Sequence, residues 1–305
     1  MQNSILESIL KSSNIGMRVT VEAYIDELLK SNKNAFLNRE DFKINDDFSV
    51  SCADEIFIQT KMAETGVYIK EARKITVQDC DIKNFLAPLK CKYLKLKTLN
   101  ELEKIVFKKG TKIDEVLIDD SGNGNISIEF EDKNDTQIGA FIINNTTITS
   151  INDFPNISER LCFYKCNIVN DINLQQKEVI PILFENCVIK KFTGIFSADY
   201  LKFSDCIIKD FNIKFKNINY IWLFNVTGLK HFTAVKNNNS SKLYSITVDN
   251  CKKLETITCN NVTNKFLFTN LPNISRFYLE TNKNNLVFVQ NCAVAPEVDC
   301  MLIMK

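Results

Sequence analysis

Histidine is almost absent from this chain: of 305 residues, only His231 carries an imidazole. Multi-histidine metal sites are therefore excluded, and the surrounding Leu229-Lys-His-Phe232 places no nucleophile motif beside the ring. An excess of one charge is lacking too. Lys and Arg total 38 against 37 Asp and Glu, a formal net charge of +1. A dedicated nucleic-acid or membrane-surface binder shows a marked basic excess, so neither nucleic acid nor membrane is expected as a partner. No apolar run approaches the roughly 18 residues that span a bilayer. The opening Met1-Gln-Asn-Ser-Ile-Leu-Glu-Ser-Ile-Leu-Lys11 has no charged-then-apolar layout of an export signal. Glycine is scarce, at 8 residues.

Asparagine, lysine, isoleucine and cysteine are plentiful instead, a bias shared with AT-rich genomes such as those of many phages and viruses. The 11 cysteines are an odd number, which does not suit a fully paired disulfide framework. Reduced thiols in a cytoplasmic compartment are expected, the host cytoplasm for a viral chain.

The dominant signal is a repeat. A six-residue unit, apolar-x-apolar-x-x-Cys or apolar, reads Ile75-Thr-Val-Gln-Asp-Cys80, Leu161-Cys-Phe-Tyr-Lys-Cys166, Ile182-Leu-Phe-Glu-Asn-Cys187 and Leu201-Lys-Phe-Ser-Asp-Cys206. It continues as Ile221-Trp-Leu-Phe-Asn-Val226, Ile246-Thr-Val-Asp-Asn-Cys251 and Phe266-Leu-Phe-Thr-Asn-Leu271, with weaker copies from Ile56, Leu94, Val116, Phe141 and Leu286. The step is about 20 residues throughout, and each copy is trailed by further apolar residues such as Ile189 and Phe192 or Ile208 and Phe211. Such a unit predicts a short strand with alternate side chains inward, then a turn that brings the chain back to the core. One unit cannot bury its own apolar face, so the units must stack. A mainly β solenoid of 11–12 coils follows, a rod on the order of 55 Å long at strand spacing.

Leu243-Tyr-Ser-Ile-Thr-Val-Asp-Asn-Cys-Lys-Lys-Leu-Glu-Thr-Ile257 resembles a leucine-rich repeat, and Ile218 to Phe232 has the same spacing. The resemblance covers roughly residues 56–292 and implies a parallel stack of the short, about 20-residue kind, whose convex side is extended and whose exposed sheet face binds partner proteins. Scarce glycine and cysteine in the asparagine-like position favour this form over a right-handed parallel β-helix, the alternative. Residues 1–45 carry helical spacing (Ile5, Ile9, Leu10, Val19, Val21, Tyr24, Ile25, Leu28, Leu29) and are expected to form an N-terminal cap. Residues 46–292 are expected to form the solenoid, with a hairpin-like insertion or irregular coil at about 119–140 signalled by Asn123-Gly124, and 293–305 a C-terminal cap.

Each polar or reactive group has a structural account. The cysteine column (Cys80, Cys166, Cys187, Cys206, Cys251) falls at the inward turn position with no C-x-x-C spacing, so it reads as packing and not as a metal site. Asp79, Asn145, Asn186, Asp205, Asn225, Asn250 and Asn270 read as turn residues. Asp205 and Asp249 fall in different columns two coils apart, a weak carboxylate pair for glycoside chemistry. Asp119 to Ile126 matches the start of a calcium loop but has Phe130 in place of the closing Glu. No catalytic residue, metal or cofactor is assigned. The outward strand positions carry the functional expectation: Trp222, Phe224, Leu183, Tyr164 and Lys202 on neighbouring coils form a partner-binding face, because a solvated sheet surface does not normally display such rings. A non-enzymatic protein-binding scaffold is the leading reading. A β-helical carbohydrate-binding or carbohydrate-cleaving protein, or a component of a larger assembly, is the alternative.

Overall fold

In the computed structural model, residues 17–30, 39–59, 68–121, 125–152, 154–280, 284–297 and 301–304 are described. Each repeat opens on two inward apolar residues flanking one outward residue, as in Ile221 and Leu223 around Trp222. Two positions later the backbone turns a corner. At Asp79, Thr98, Asp120, Asn145, Lys165, Asn186, Asp205, Asn225, Asn250, Asn270 and Asn291, φ lies between 46° and 55°. Asn and Asp tolerate this left-handed conformation best, which explains why nine of these 11 corners are Asx. The next residue, usually Cys, then points inward, and the chain enters a second extended limb.

Stacking these coils gives a β solenoid of about 11 turns. Two long parallel ladders run its length. The first joins Glu55–Gln59, Ile69–Gln78, Lys90–Lys97, Lys112–Asp119, Gln137–Asn144 and Ile157–Tyr164. It proceeds through the ends of the long strands Asn167–Glu185, Val188–Ser204 and Ile207–Phe224, then Lys242–Asp249, Val262–Leu271, Leu286–Cys292 and Met301–Met304. The second joins Asn84–Leu86, Lys104–Phe107, Ile126–Phe130 and Thr147–Asn152, the beginnings of the long strands, then His231–Lys236, Thr256–Cys259 and Arg276–Leu279. Among the described residues, the only antiparallel pair is Phe42–Ile44 with Val50–Cys52.

The ladders face each other across a core of stacked phenylalanines. Phe163, Phe184 and Phe203 stack along the first ladder, with centroids 4.7 and 4.9 Å apart and planes within 4°. Phe192, Phe211 and Phe232 form the facing column, 5.4 and 5.0 Å apart. The columns meet edge to face, Phe192 on Phe184 at 5.3 Å and on Phe203 at 5.0 Å, the arrangement the ring quadrupole favours. All these rings are essentially fully buried.

Residues 17–30 form a helix that buries Val21, Tyr24, Ile25 and Leu28, one face at helical spacing. Tyr24 and Leu28 join the main core, while Val21 and Ile25 pack with Val50, so the helix covers the first coils. Val19 is not part of that face and is 60% exposed. Ile5, Ile9 and Leu10 lie outside the described residues. No described helix is long and apolar enough to cross a membrane.

Two sequence expectations are corrected. Ile126–Phe130 is no hairpin arm: it pairs in parallel with Lys104–Phe107 on one side and, with one register shift, Thr147–Asn152 on the other, a limb of the second ladder. Asn123 and Gly124 lie outside the described residues. In the last full coil the inward pair is Val287 and Val289, one residue later than a unit starting at Leu286, because alternation there fits either register. Met301–Met304, within the segment expected as a C-terminal cap, adds a strand at the end of the first ladder.

Candidate interaction face

The outer surface of the first ladder is built by the residues between its buried pairs. In the row that follows the first inward residue, Cys162, Leu183, Lys202 and Trp222 are lateral neighbours on successive coils. In the next outward row Tyr164, Glu185, Ser204 and Phe224 align the same way. All five expected site residues therefore lie together in two adjoining rows over four coils, about 14 Å at strand spacing. Ile221 and Leu223 are fully buried while Trp222 and Phe224 are half-buried, so the strand faces the way its alternation implies.

The apolar row is longer than those five residues suggest. Leu117 and Ile142 precede Cys162, and Leu267 and Phe288 follow Thr247, each in register with the next. All four are half-buried. Upstream of the repeat unit lie three further rings, Tyr200 and Tyr220 one position before it and Tyr244 two positions before it. Tyr200 and Tyr220 each lie 5.4 Å from Trp222 with planes inclined by 24° and 27°. Tyr220 also meets Tyr244 edge-on at 5.6 Å. This packing holds Trp222 in place and accounts for its partial burial. Three coils away, burial first and then the neighbouring Cys162 thiol push the Tyr164 hydroxyl pKa up to about 12.

The acidic candidates are occupied elsewhere. Asp249 Oδ1 accepts from Thr269 Oγ1 at 2.6 Å and Asn270 Nδ2 at 2.9 Å. Asp205 Oδ1 accepts from Asn225 Nδ2 at 2.8 Å, and Asn225 in turn accepts from Asn250 at 2.7 Å. These are rungs of a side-chain ladder beside the corners, each coil donating to the one before. The segment from Asp119 is used likewise: Asp119 accepts from Asn144, Asp120 from Asn145, and Ser121 is turned inward onto the Asp119 carbonyl. His231 Nδ1 contacts Thr256 Oγ1 at 2.8 Å on the exposed side of the second ladder.

The cysteine column is buried and unpaired by disulfides among the described residues. Each thiol lies near the carbonyl two residues back and one a coil earlier: Cys166 at 3.2 and 3.4 Å, Cys187 at 3.3 and 3.3 Å, Cys206 at 3.2 and 3.5 Å. Thr146 and Ser121 make the same contact to the carbonyl two residues back. The corner thus accepts a small donor to that carbonyl, or, at Leu99, Val226 and Leu271, a buried apolar side chain. The neighbouring Cys166 thiol, and then burial, push Cys187 up to about 12; burial pushes Cys251 to about 12 and Cys91 to about 11. Such thiols stay protonated at neutral pH.

Comparison with protein-family models, with curated proteins and with solved structures found no match to this chain.

Proposed function

We propose that this β solenoid is a non-enzymatic scaffold that binds a partner protein on the outer surface of its first ladder. The observation that supports this reading is the row running from Leu117 to Phe288 on the outer face of the sheet, apolar at every coil but those of Lys202 and Thr247, with Trp222 packed by Tyr200 and Tyr220 at its strongest point. Aromatic anchors of this kind dominate protein interfaces, and a sheet held by stacked phenylalanines loses little conformational freedom on binding. The leucine-rich-repeat resemblance is in keeping with it, since that family binds through an exposed parallel sheet; the extended second limb suits its short-repeat form. The test is affinity capture from native lysate with wild type beside Trp222→Ala and Leu183→Ala, after matched melting curves. A protein retained by wild type and lost by both variants supports the reading. Retention unaffected by either variant refutes this face.

A second reading, carbohydrate binding, is favoured by the near-parallel Tyr200, Trp222 and Tyr220 rings, which resemble a stacking platform. A glycan array with the same variants separates the two.

A further inference from the structure

Six coils away from Trp222 the same surface changes character. The strand Lys90–Lys97 reads Lys-Cys-Lys-Tyr-Leu-Lys-Leu-Lys, and its inward residues are Cys91, Leu94 and Leu96. Lys90, Lys92, Lys95 and Lys97 therefore all point outward from one strand, and Tyr93 beside them is 51% exposed. Several neighbouring cations are neutralised in place, although Lys112 beside Lys90 is not among them. Arg73 pairs with Asp54 at 2.7 Å, Lys74 with Glu55 at 3.1 Å and Arg160 with Glu115 at 2.9 Å. The four lysines of Lys90–Lys97 make no ion pair among the described residues. Three of them border two adjoining surface depressions of about 660 and 460 Å³, one containing Lys90 and Lys92, the other Lys92, Tyr93 and Lys95.

The shape of this positive strip limits what it fits. Along the solenoid axis it is narrow, because the flanking coils place Glu71 beside Lys90, Glu115 beside Tyr93 and Asp119 beside Lys97; only at Lys90 does a second lysine, Lys112, widen it to two coils. A polyanion lying along the axis would meet those carboxylates within about 5 Å of the lysines. Across the face, by contrast, the lysines follow the strand. Lys90 and Lys92, like Lys95 and Lys97, are two residues apart, about 6.6 Å, the side-chain repeat on one side of an extended peptide. We propose that the Lys90–Lys97 strand is a docking site for an extended acidic peptide segment of a partner protein, laid along the strand with acidic side chains at alternate positions and an apolar residue against Tyr93. The site is separate from the aromatic patch and stands whether or not that patch binds protein.

The test is fluorescence anisotropy with a labelled octapeptide of four Glu-Ser repeats, a block isomer with four Glu followed by four Ser, and an eight-residue oligothymidylate. The variants are Lys95→Ala/Lys97→Ala and, as control on the same face, Lys242→Ala/Lys265→Ala, each verified by its melting curve. The expected result is saturable binding of the alternating peptide, weaker for the block isomer, that falls with salt and drops about fivefold or more in the Lys95/Lys97 variant only. No saturable binding overturns the proposal, as does equal loss in the control variant. Tighter binding of the oligonucleotide than of the alternating peptide would replace the peptide with nucleic acid and equally overturn it.

Discussion

The corner column offers the sharpest test of the coil. Thr98 has φ of 51°, yet it is β-branched, and the left-handed region is costly for such a side chain. Its equivalents one coil back and one forward, Asp79 and Asp120, are Asx residues. Replacing Thr98 with Asn should relieve about 1 kcal/mol of backbone strain. The new amide can also donate to Asp79, as Asn145 donates to Asp120 at 2.8 Å, and an exposed hydrogen bond of this type adds about 0.5 kcal/mol. The sum, about 1–2 kcal/mol, should raise the melting temperature by about 2–4 °C. Thr98→Gly removes the strain without supplying the donor, and the unfolded chain gains freedom, so it should rank between Asn and wild type. The reciprocal Asn145→Thr creates the strain, deletes the Asp120 contact and should cost about 2 kcal/mol. Differential scanning calorimetry on all three decides the matter. A neutral or destabilising Thr98→Asn, or a tolerated Asn145→Thr, would show that the conformation of the corner does not select its residue.

Phe203→Ala removes a ring that stacks on Phe184 and meets Phe192 and Phe211 edge-on; it should cost about 3–5 kcal/mol by urea titration, and a loss below 1 kcal/mol would contradict the packing. Gly228 has φ of +86°, and a Cβ there would lie 2.9 Å from the Ile208 carbonyl oxygen, so Gly228→Ala should lower stability by about 1–2 kcal/mol in the same assay. Cys187 and Cys251 have folded-state pKa values raised to about 12 from 9.0. Their stabilising contribution is therefore complete below pH 9 and is lost as pH rises toward 12, by about 1.4 kcal/mol per unit for each thiol. Urea midpoints should fall between pH 8.5 and 10.5, and a flat profile would refute the buried, protonated column.

Much of this coil was legible because two independent sequence signals coincide. Inward alternation marks the strand, and Asx followed by a small residue marks the corner, so pairs such as Ile182 and Phe184 with Asn186 and Cys187 could be placed directly. Where one signal fails, so does the reading. Leu286-Val-Phe-Val offers apolar residues in both phases, and only the corner at Asn291, followed by Cys292, selects the later start. The segment around Ile126 suggested a hairpin because its turn residues are local, whereas its parallel partners lie 20 or more residues away in sequence. Trp222 and Phe224 could be named from alternation, but Tyr200, Tyr220 and Tyr244 fall upstream of the repeat unit and escaped it. Their part in the face depends on lateral register between coils, which the spacing of one strand does not carry.

The measurement that tests the account most directly is the melting temperature of Trp222→Lys beside Ile221→Lys. The register places Ile221 fully inside and Trp222 on the outer face. Trp222→Lys gives up ring packing and part of the buried ring area, about 2 kcal/mol together, and should remain folded, whereas Ile221→Lys forces an unpaired charge into the core at a cost of several kcal/mol and should unfold the neighbouring coils. The reverse order, or equal losses, would mean that the strand faces the other way and that the proposed binding face does not exist.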